Sequence, residues 1–279
     1  MIVLNNVTKK YDEVVVHKLS LEIAKGELFG LLGPNGAGKT TTIRMITALT
    51  GITSGNITIN GYPVSRNNTS YMAQIGLVPQ HTNLEPELTV RENLQLHGML
   101  YKMDQDLIAE KIKELLDYTE LWEKKNSLVN TLSGGMKRKL LIARALMHSP
   151  AILLLDEPTV GLDVFARRKV WDLIRSLRHR GETIILTTHY LEEAEALCSR
   201  IGLLKKGRLL MCGSLEELRA QVGPVVVELF AGGKTGLYFF KSHPEAIEFV
   251  SDIKDKEITV RQTKLEDVFV KLTQEKSDS

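Results

Sequence analysis

The sequence predicts an α/β fold built on a buried parallel sheet, with a ligand site at the carboxyl ends of its strands. Three observations support this. Ile152-Leu153-Leu154-Leu155 and Ile184-Ile185-Leu186 are short and wholly apolar, as central strands covered on both faces are. Both runs end in polar groups, Asp156-Glu157 and Thr187-Thr188-His189, where ligands of such sheets bind. Between the apolar run Leu28-Phe29-Gly30-Leu31-Leu32 and a stretch of helical periodicity from Thr41 to Ile46 lies Gly33-Pro34-Asn35-Gly36-Ala37-Gly38-Lys39-Thr40-Thr41. It fills G-x-x-x-x-G-K-[ST], in the strand-to-helix context that pattern requires.

The glycines of this loop let the backbone wrap closely around a polyphosphate. Successive N–H groups and the helix start form an anion cradle. Lys39 can reach the β- and γ-phosphates and the Thr40 hydroxyl can ligate Mg²⁺. At the far strand ends, Asp156 and Glu157 can divide labour, one toward the metal and one toward water.

Composition bounds the rest. The chain has 279 residues, 43% of them hydrophobic, enough for one large domain with or without a small appendage. A net charge of +2 gives no argument for nucleic acid or an anionic membrane surface. Cys198 and Cys212 have no metal-like spacing and read as small hydrophobes in a reduced, cytosolic setting. The N-terminus lacks the basic and apolar segments of a signal peptide. No apolar run approaches the roughly 20 residues that span a bilayer, so any membrane path must come from another chain.

In chain order, Ile2-Val3-Leu4, Val14-Val15-Val16 and Leu19 to Ile23 read as strands, with Tyr11 in a turn where its ring could stack on a base. Gly55 to Ile59 is a strand closed by Asn60-Gly61, and Ile75 to Val78 a strand stopped by Pro79, so Gln80 starts a loop. From Thr89 to Glu123 the pattern is helical, opened by the capping box Thr89-Val90-Arg91-Glu92, with Leu94, Leu96, Leu100, Leu107, Ile108, Ile112, Leu115 and Leu116 as its apolar positions. Ser133-Gly134-Gly135 begins a helix running to about Met147, a second anion-binding helix start or an ordinary Ser cap. After Gly223-Pro224, strands are expected at Val225 to Phe230 and Ile258 to Val260. Helices are expected at Pro244 to Val250 and Lys264 to Thr273, and a frayed end at Glu275 to Ser279.

Taken together, the phosphate loop, Leu132-Ser133-Gly134-Gly135, Asp156-Glu157-Pro158, Gly161-Leu162-Asp163 and His189 resemble, in order and spacing, the ABC-transporter ATPases. The resemblance covers about residues 1 to 220. It implies a P-loop NTPase core of ABC type with N-terminal antiparallel strands, a helical subdomain at about 84–147, and a small α+β C-terminal appendage. The expected division is an ABC ATPase domain at 1–222 and an appendage at 223–279. By the same resemblance Tyr11 would stack on adenine, and Gln80 would sense the γ-phosphate and Mg²⁺. Ser133, Gly134 and Gly135 would bind the γ-phosphate of ATP held by a second copy in a head-to-tail dimer. Asp156 would hold Mg²⁺ through water, Glu157 would be the general base, Asp163 would couple the two sites, and His189 would clamp the γ-phosphate. Met136 stands where the family usually has glutamine.

The C-terminal stretch and Val160-Gly161-Leu162-Asp163 are similar to the exporter branch that includes the daunorubicin-resistance ATPases. The implied function is ATP hydrolysis driving export of a drug, lipid or similar substrate through a separate transmembrane permease, from the cytoplasmic side of the membrane. A soluble ABC ATPase of DNA repair or translation is an alternative, but no sustained heptads lie between Lys39 and Ser133, and the chain holds one phosphate loop. A simple P-loop kinase leaves Ser133-Gly134-Gly135 and His189 without a role. An ATP-dependent regulator without turnover is the remaining alternative.

Overall fold

The computed structural model of the chain describes residues 1–65, 71–251, 253 and 256–274; the expected fraying of Glu275 to Ser279 lies outside them. The two stretches expected as separate strands, Val14–Val16 and Leu19–Ile23, form one strand, β2 (Val14–Ile23). It pairs antiparallel with β1 (Ile2–Lys10) through shifts of register. Lys18, at φ 45°, lets the strand pass this irregularity without ending. With β4 (Ser54–Ile59) and β5 (Tyr62–Pro63) they form a four-stranded sheet in the order β2-β1-β4-β5.

The central sheet is six-stranded. The apolar runs become β3 (Leu28–Leu32), β7 (Ile152–Asp156) and β8 (Thr183–Thr188), buried at every position. They are joined by β6 (Ile75–Val78), β9 (Arg200–Lys205) and β10 (Arg208–Gly213) in the order β10-β9-β3-β8-β7-β6. Every pairing is parallel except that of β9 with β10. Because the parallel strands share a direction, the loop after β3, Gln80 after β6, Glu157 after β7 and His189 after β8 come to one edge.

Helix α1 (Lys39–Ile46) is sandwiched between the two sheets, with Ile43, Met45 and Ile46 in a core shared with Ile2, Leu4, Ile23 and Leu154. The opposite face of the central sheet carries α2 (Val90–Leu100), α3 (Gln105–Tyr118), α4 (Gly134–Leu146) and α5 (Val164–His179). The capping box at Thr89 and Glu92 is formed, each side chain bonding the other residue's N–H. The helical stretch expected after it divides into the two helices α2 and α3. Leu94, Ile108, Ile112, Leu115 and Leu116 are buried, whereas Leu96, Leu100 and Leu107 face outward.

After α6 (Leu191–Leu197) and α7 (Leu215–Val222), Gly223 turns the chain at φ 112°, where a Cβ would stand 2.9 Å from the Phe240 carbonyl oxygen. A three-stranded sheet follows in the order β12-β11-β13: β11 (Val225–Ala231), β12 (Lys234–Phe240) and β13 (Glu257–Gln262). Strand β12 was not expected from the sequence. Its TGLYFF run does not alternate, and only the Gly232-Gly233 turn, at φ 58° and 77°, signals the hairpin. Helix α8 (His243–Ser251) covers this sheet. The last helix, α9 (Leu265–Gln274), instead returns to α6 and α7, where Leu265 and Val268 join Leu32, Ala194, Ile201 and Leu218 in one core. Cys198 and Cys212 pack against these cores, and burial pushes both thiols up.

A histidine stack ties the helical layer to the sheet edge. The His148 ring lies 3.8 Å from the Tyr101 ring, nearly parallel, and its Nε2 is 3.0 Å from the Ile75 carbonyl oxygen; the His97 ring packs beside both, 4.9 Å from Tyr101 and 5.8 Å from His148. Burial, then the neighbouring Arg144 and His148, push the His97 imidazole down to about 4. The unfolded chain takes up this proton near the ordinary value of 6.5, the folded chain only near 4. The stability gained by keeping His97 neutral is therefore full above about pH 6.5 and is lost as the pH falls toward 4. Thermal melts between about pH 7 and pH 5 should show His97→Phe losing about 2–4 °C less than the wild type. Equal losses would remove His97 as the cause.

Candidate functional site

The phosphate loop follows from the tight seating of its glycines. A Cβ at Gly33 would stand 2.2 Å from the Leu204 carbonyl oxygen, and Gly38 sits at φ 103° with a Cβ position 2.9 Å from the Val15 carbonyl oxygen. Only glycine allows both approaches. Residues Asn35 to Thr41 then line a cleft of about 500 Å³, with Val15, Gln80, Glu157, Val160 and His189 forming its other walls.

Glu157 is the point where these walls meet. The residue is 4% exposed. Oε1 lies 3.2 Å from Lys39 Nζ, and Oε2 accepts from Gln80 Nε2 at 3.1 Å. The same Oε2 is 3.2 Å from His189 Nδ1, which is not aligned for a hydrogen bond and has no other partner among the described residues. The Glu157 backbone is in the left-handed region at φ 49°, a conformation that costs a non-glycine residue about 1–2 kcal/mol. Its N–H donates to Thr187 O at 3.0 Å and Thr187 Oγ1 at 3.1 Å, which holds it there. Lys39, 4% exposed, also donates to the Gly33 and Pro34 carbonyl oxygens at 2.8 and 3.1 Å.

Asp156, also 4% exposed, accepts from Thr40 Oγ1 at 3.2 Å and from Thr187 Oγ1. Thr40, Asp156 and the nearby Gln80 therefore form an oxygen-rich set suited to a hard divalent cation. The Gln80 loop is fixed by Arg138 of α4, which donates to Pro79 O at 2.8 Å and Gln80 O at 3.0 Å. Thr187 and Arg138 were not singled out from the sequence. Thr187 falls within the polar strand end Thr187-Thr188-His189 but has no role of its own there, and Arg138 reads as one charge in a solvated basic run.

The structure does not bring every candidate into this cleft. Ser133, Gly135 and Asp163 line a different groove, with Met136, Lys139 and Phe165. Ser133 caps α4 by accepting from Met136 N at 3.3 Å, and Asp163 caps α5 by accepting from Ala166 N at 2.9 Å. Gly134 lies beside Leu162, at the same α4 start. The Tyr11 ring is 51% exposed and outside the cleft wall; Lys9 lies over it at 4.5 Å, and its hydroxyl is 3.3 Å from Thr50 Oγ1.

The arrangement has the parts that phosphoryl transfer to water uses: a phosphate cradle, a buried carboxylate and an oxygen ligand set. Comparisons with known proteins agree with it. The profile described as ABC transporter matches residues 16–160. The Nod factor export ATP-binding protein I of Rhizobium etli is 43% identical over 291 residues, covering 96% of this chain and 92% of that protein. Its counterpart in Cupriavidus metallidurans is 38% identical, covering 97% and 96%. Among solved structures, the ATP-binding subunit of an ABC transporter superposes with a TM-score of 0.75 at 27% identity, covering 98% of this chain and 99% of the other. A dimeric ATP-binding cassette in a post-hydrolysis state, bound to ADP and Pi, gives a TM-score of 0.68 at 31% identity, covering 77% and 98%. With a phosphate loop closed over by a buried glutamate and relatives matched along nearly their whole length, this chain belongs to the ABC transporter family as an ATP-binding subunit.

Proposed function

We propose that the chain hydrolyses Mg-ATP at the Glu157 cleft, that two copies assemble head to tail around two ATP molecules, and that the pair drives export through a separate membrane permease. The convergence of Lys39, Gln80 and His189 on the one buried carboxylate of Glu157 is the observation that carries this reading. Residues 1–222 form the ATPase domain and 223–279 an accessory one.

In this mechanism the loop from Gly33 to Thr41 binds the phosphates through its backbone N–H groups and the Lys39 ammonium. A γ-phosphate competes with Glu157 for Lys39 and leaves the carboxylate to orient water and take its proton as the O–P bond forms and the bond to the β-phosphate oxygen breaks. Thr40, Asp156 and Gln80 would hold Mg²⁺, which would neutralise part of the phosphate charge. His189 donates toward the γ-phosphate, and Tyr11 offers its exposed ring face to adenine.

The second anion-binding helix start, at Ser133, Gly134 and Gly135, opens with Asp163 onto its own groove rather than the cleft. One ATP therefore meets both helix starts only if the second belongs to another copy, and the two copies close as a twofold pair. No helix among the described residues is long and apolar enough to cross a membrane; in this reading the permease is another chain and this one sits at its cytoplasmic face. A groove next to Gln80, lined by Met72, Leu77, Pro79, Tyr101 and Arg144 and mainly apolar, is the contact surface for it. Export is the role named for the Rhizobium etli relative.

Three outcomes test this. Lys39→Ala should lose Mg-ATP binding or turnover; wild-type turnover would remove the phosphate-loop assignment. Glu157→Gln keeps the shape of the site and removes the base, so kcat should fall at least about 100-fold while Mg-ATP binding persists. In size-exclusion chromatography with light scattering, Glu157→Gln should dimerise with Mg-ATP. Adding Ser133→Arg should abolish that dimer and spare nucleotide binding, whereas a dimer that survives Ser133→Arg refutes the trans site.

A further inference from the structure

Glu193 is a buried carboxylate that the cleft does not use. It lies on α6, four residues after His189, and is 0% exposed. Its Oε1 accepts from Thr159 Oγ1 at 2.7 Å and from Trp171 Nε1 at 2.9 Å, and its Oε2 has no hydrogen-bond partner among the described residues. A carboxylate buried with one oxygen unsatisfied is costly, and an apolar side chain would fill the same space at lower cost. Packing alone therefore gives no reason for an acid here.

Its partners do. Thr159, itself fully buried, is in the loop between Glu157 and Asp163. That loop is otherwise shaped by two backbone bonds, Val160 N to Glu157 O at 3.3 Å and Leu162 N to Thr159 O at 3.2 Å. It must hold Glu157 in a left-handed conformation at its head and Asp163 as a helix cap at its tail. Trp171 comes from α5, the helix that Asp163 caps. Arg138, which fixes the carbonyl of Gln80, is pushed down by burial and drawn back up by Glu193 and Asp156. On its other side α6 is also tied down, since Glu195 Oε1 accepts from Leu265 N at 2.6 Å and lies 3.5 Å from Arg219. A helix held on both sides makes a fixed anchor.

We propose that Glu193 is a positioning residue for ATP hydrolysis: through Thr159 and Trp171 it locks the Glu157–Asp163 loop to the helix that follows His189. The general base and the histidine then keep one geometry although they follow different strands. This rests on the cleft being the hydrolytic site.

The test uses the 279-residue chain with Thr159→Val, Glu193→Ala, Glu193→Gln and the double variant Glu193→Ala/Thr159→Val. Thr159→Val deletes one hydroxyl without opening a cavity, so it reports even if Glu193→Ala folds poorly. Hydrogen exchange of amides 157–163 should speed up about tenfold in Thr159→Val and Glu193→Ala. Their kcat should fall about 10–100-fold, with KM for Mg-ATP within about twofold. Glu193→Gln keeps an acceptor for both donors and should restore most of kcat. The double variant should be no slower than Glu193→Ala, because both remove one interaction. Wild-type exchange and wild-type kcat in Thr159→Val would overturn the proposal. So would Glu193→Gln as slow as Glu193→Ala, which would mean that the charge and not the anchor matters. A wild-type chain without ATPase activity would instead count against the hydrolytic reading, and the exchange of 157–163 would still decide whether Glu193 anchors the loop.

Discussion

The Glu157 carboxylate binds four stretches of chain into one object. Lys39 reaches it from the phosphate loop, Gln80 from the loop after β6, and His189 from the end of β8, while Thr187 fixes its backbone. Burial makes this demanding, because a carboxylate removed from water needs partners in good geometry, and here the partners are spread over 150 positions of the chain (189 − 39). The parallel sheet solves the problem by bringing all their strand ends to one edge. The sheet's registers, the close approach at Gly33 and the left-handed turn at Glu157 are conditions for this one meeting point.

Those parts were legible in the sequence where chemistry is written locally. The phosphate loop announces itself by glycine spacing and Lys39-Thr40, and β7 and β8 by unbroken apolar runs that stop at polar residues. What was not legible depends on contacts across the fold. Arg138 looks like any charge in Lys137-Arg138-Lys139 until its guanidinium is seen under the Gln80 carbonyl. Glu193 sits in an acidic helix start, Glu192-Glu193, and only packing tells which of the two is buried. Strand β12 lacks alternation because aromatic side chains serve both faces, Tyr238 and Phe240 against Phe249 of α8 and Phe239 against the core that α9 closes. The outward leucines of α2 and α3 show the converse error: apolar residues at helical spacing do not all point inward.

The groove at Ser133 and Asp163 has a different economy from the cleft. The Ser133 and Asp163 side chains are satisfied within the chain, as caps of α4 and α5. Such a surface carries no buried unpaired charge and can face water without strain. The cleft concentrates the buried charges of Lys39, Asp156 and Glu157, whereas the groove presents hydrogen-bonding groups already aligned by their helices.

The return of α9 to α6 and α7 has a consequence for how the molecule is made. Leu265 and Val268 complete a core that also contains Leu32, which leaves 236 positions (268 − 32) between the first and last contributors. At roughly 5–20 residues per second, a ribosome takes on the order of 12–47 s to cover that distance. The rest of that core's apolar wall, from Ala194 to Val222, is made only late in this interval; once Val222 is made, 46 positions (268 − 222), or about 2–9 s at the same rate, pass before Val268 covers it. The nucleotide-binding half is thus synthesised early and sealed last, and the newborn protein has an interval in which a chaperone can hold the exposed wall.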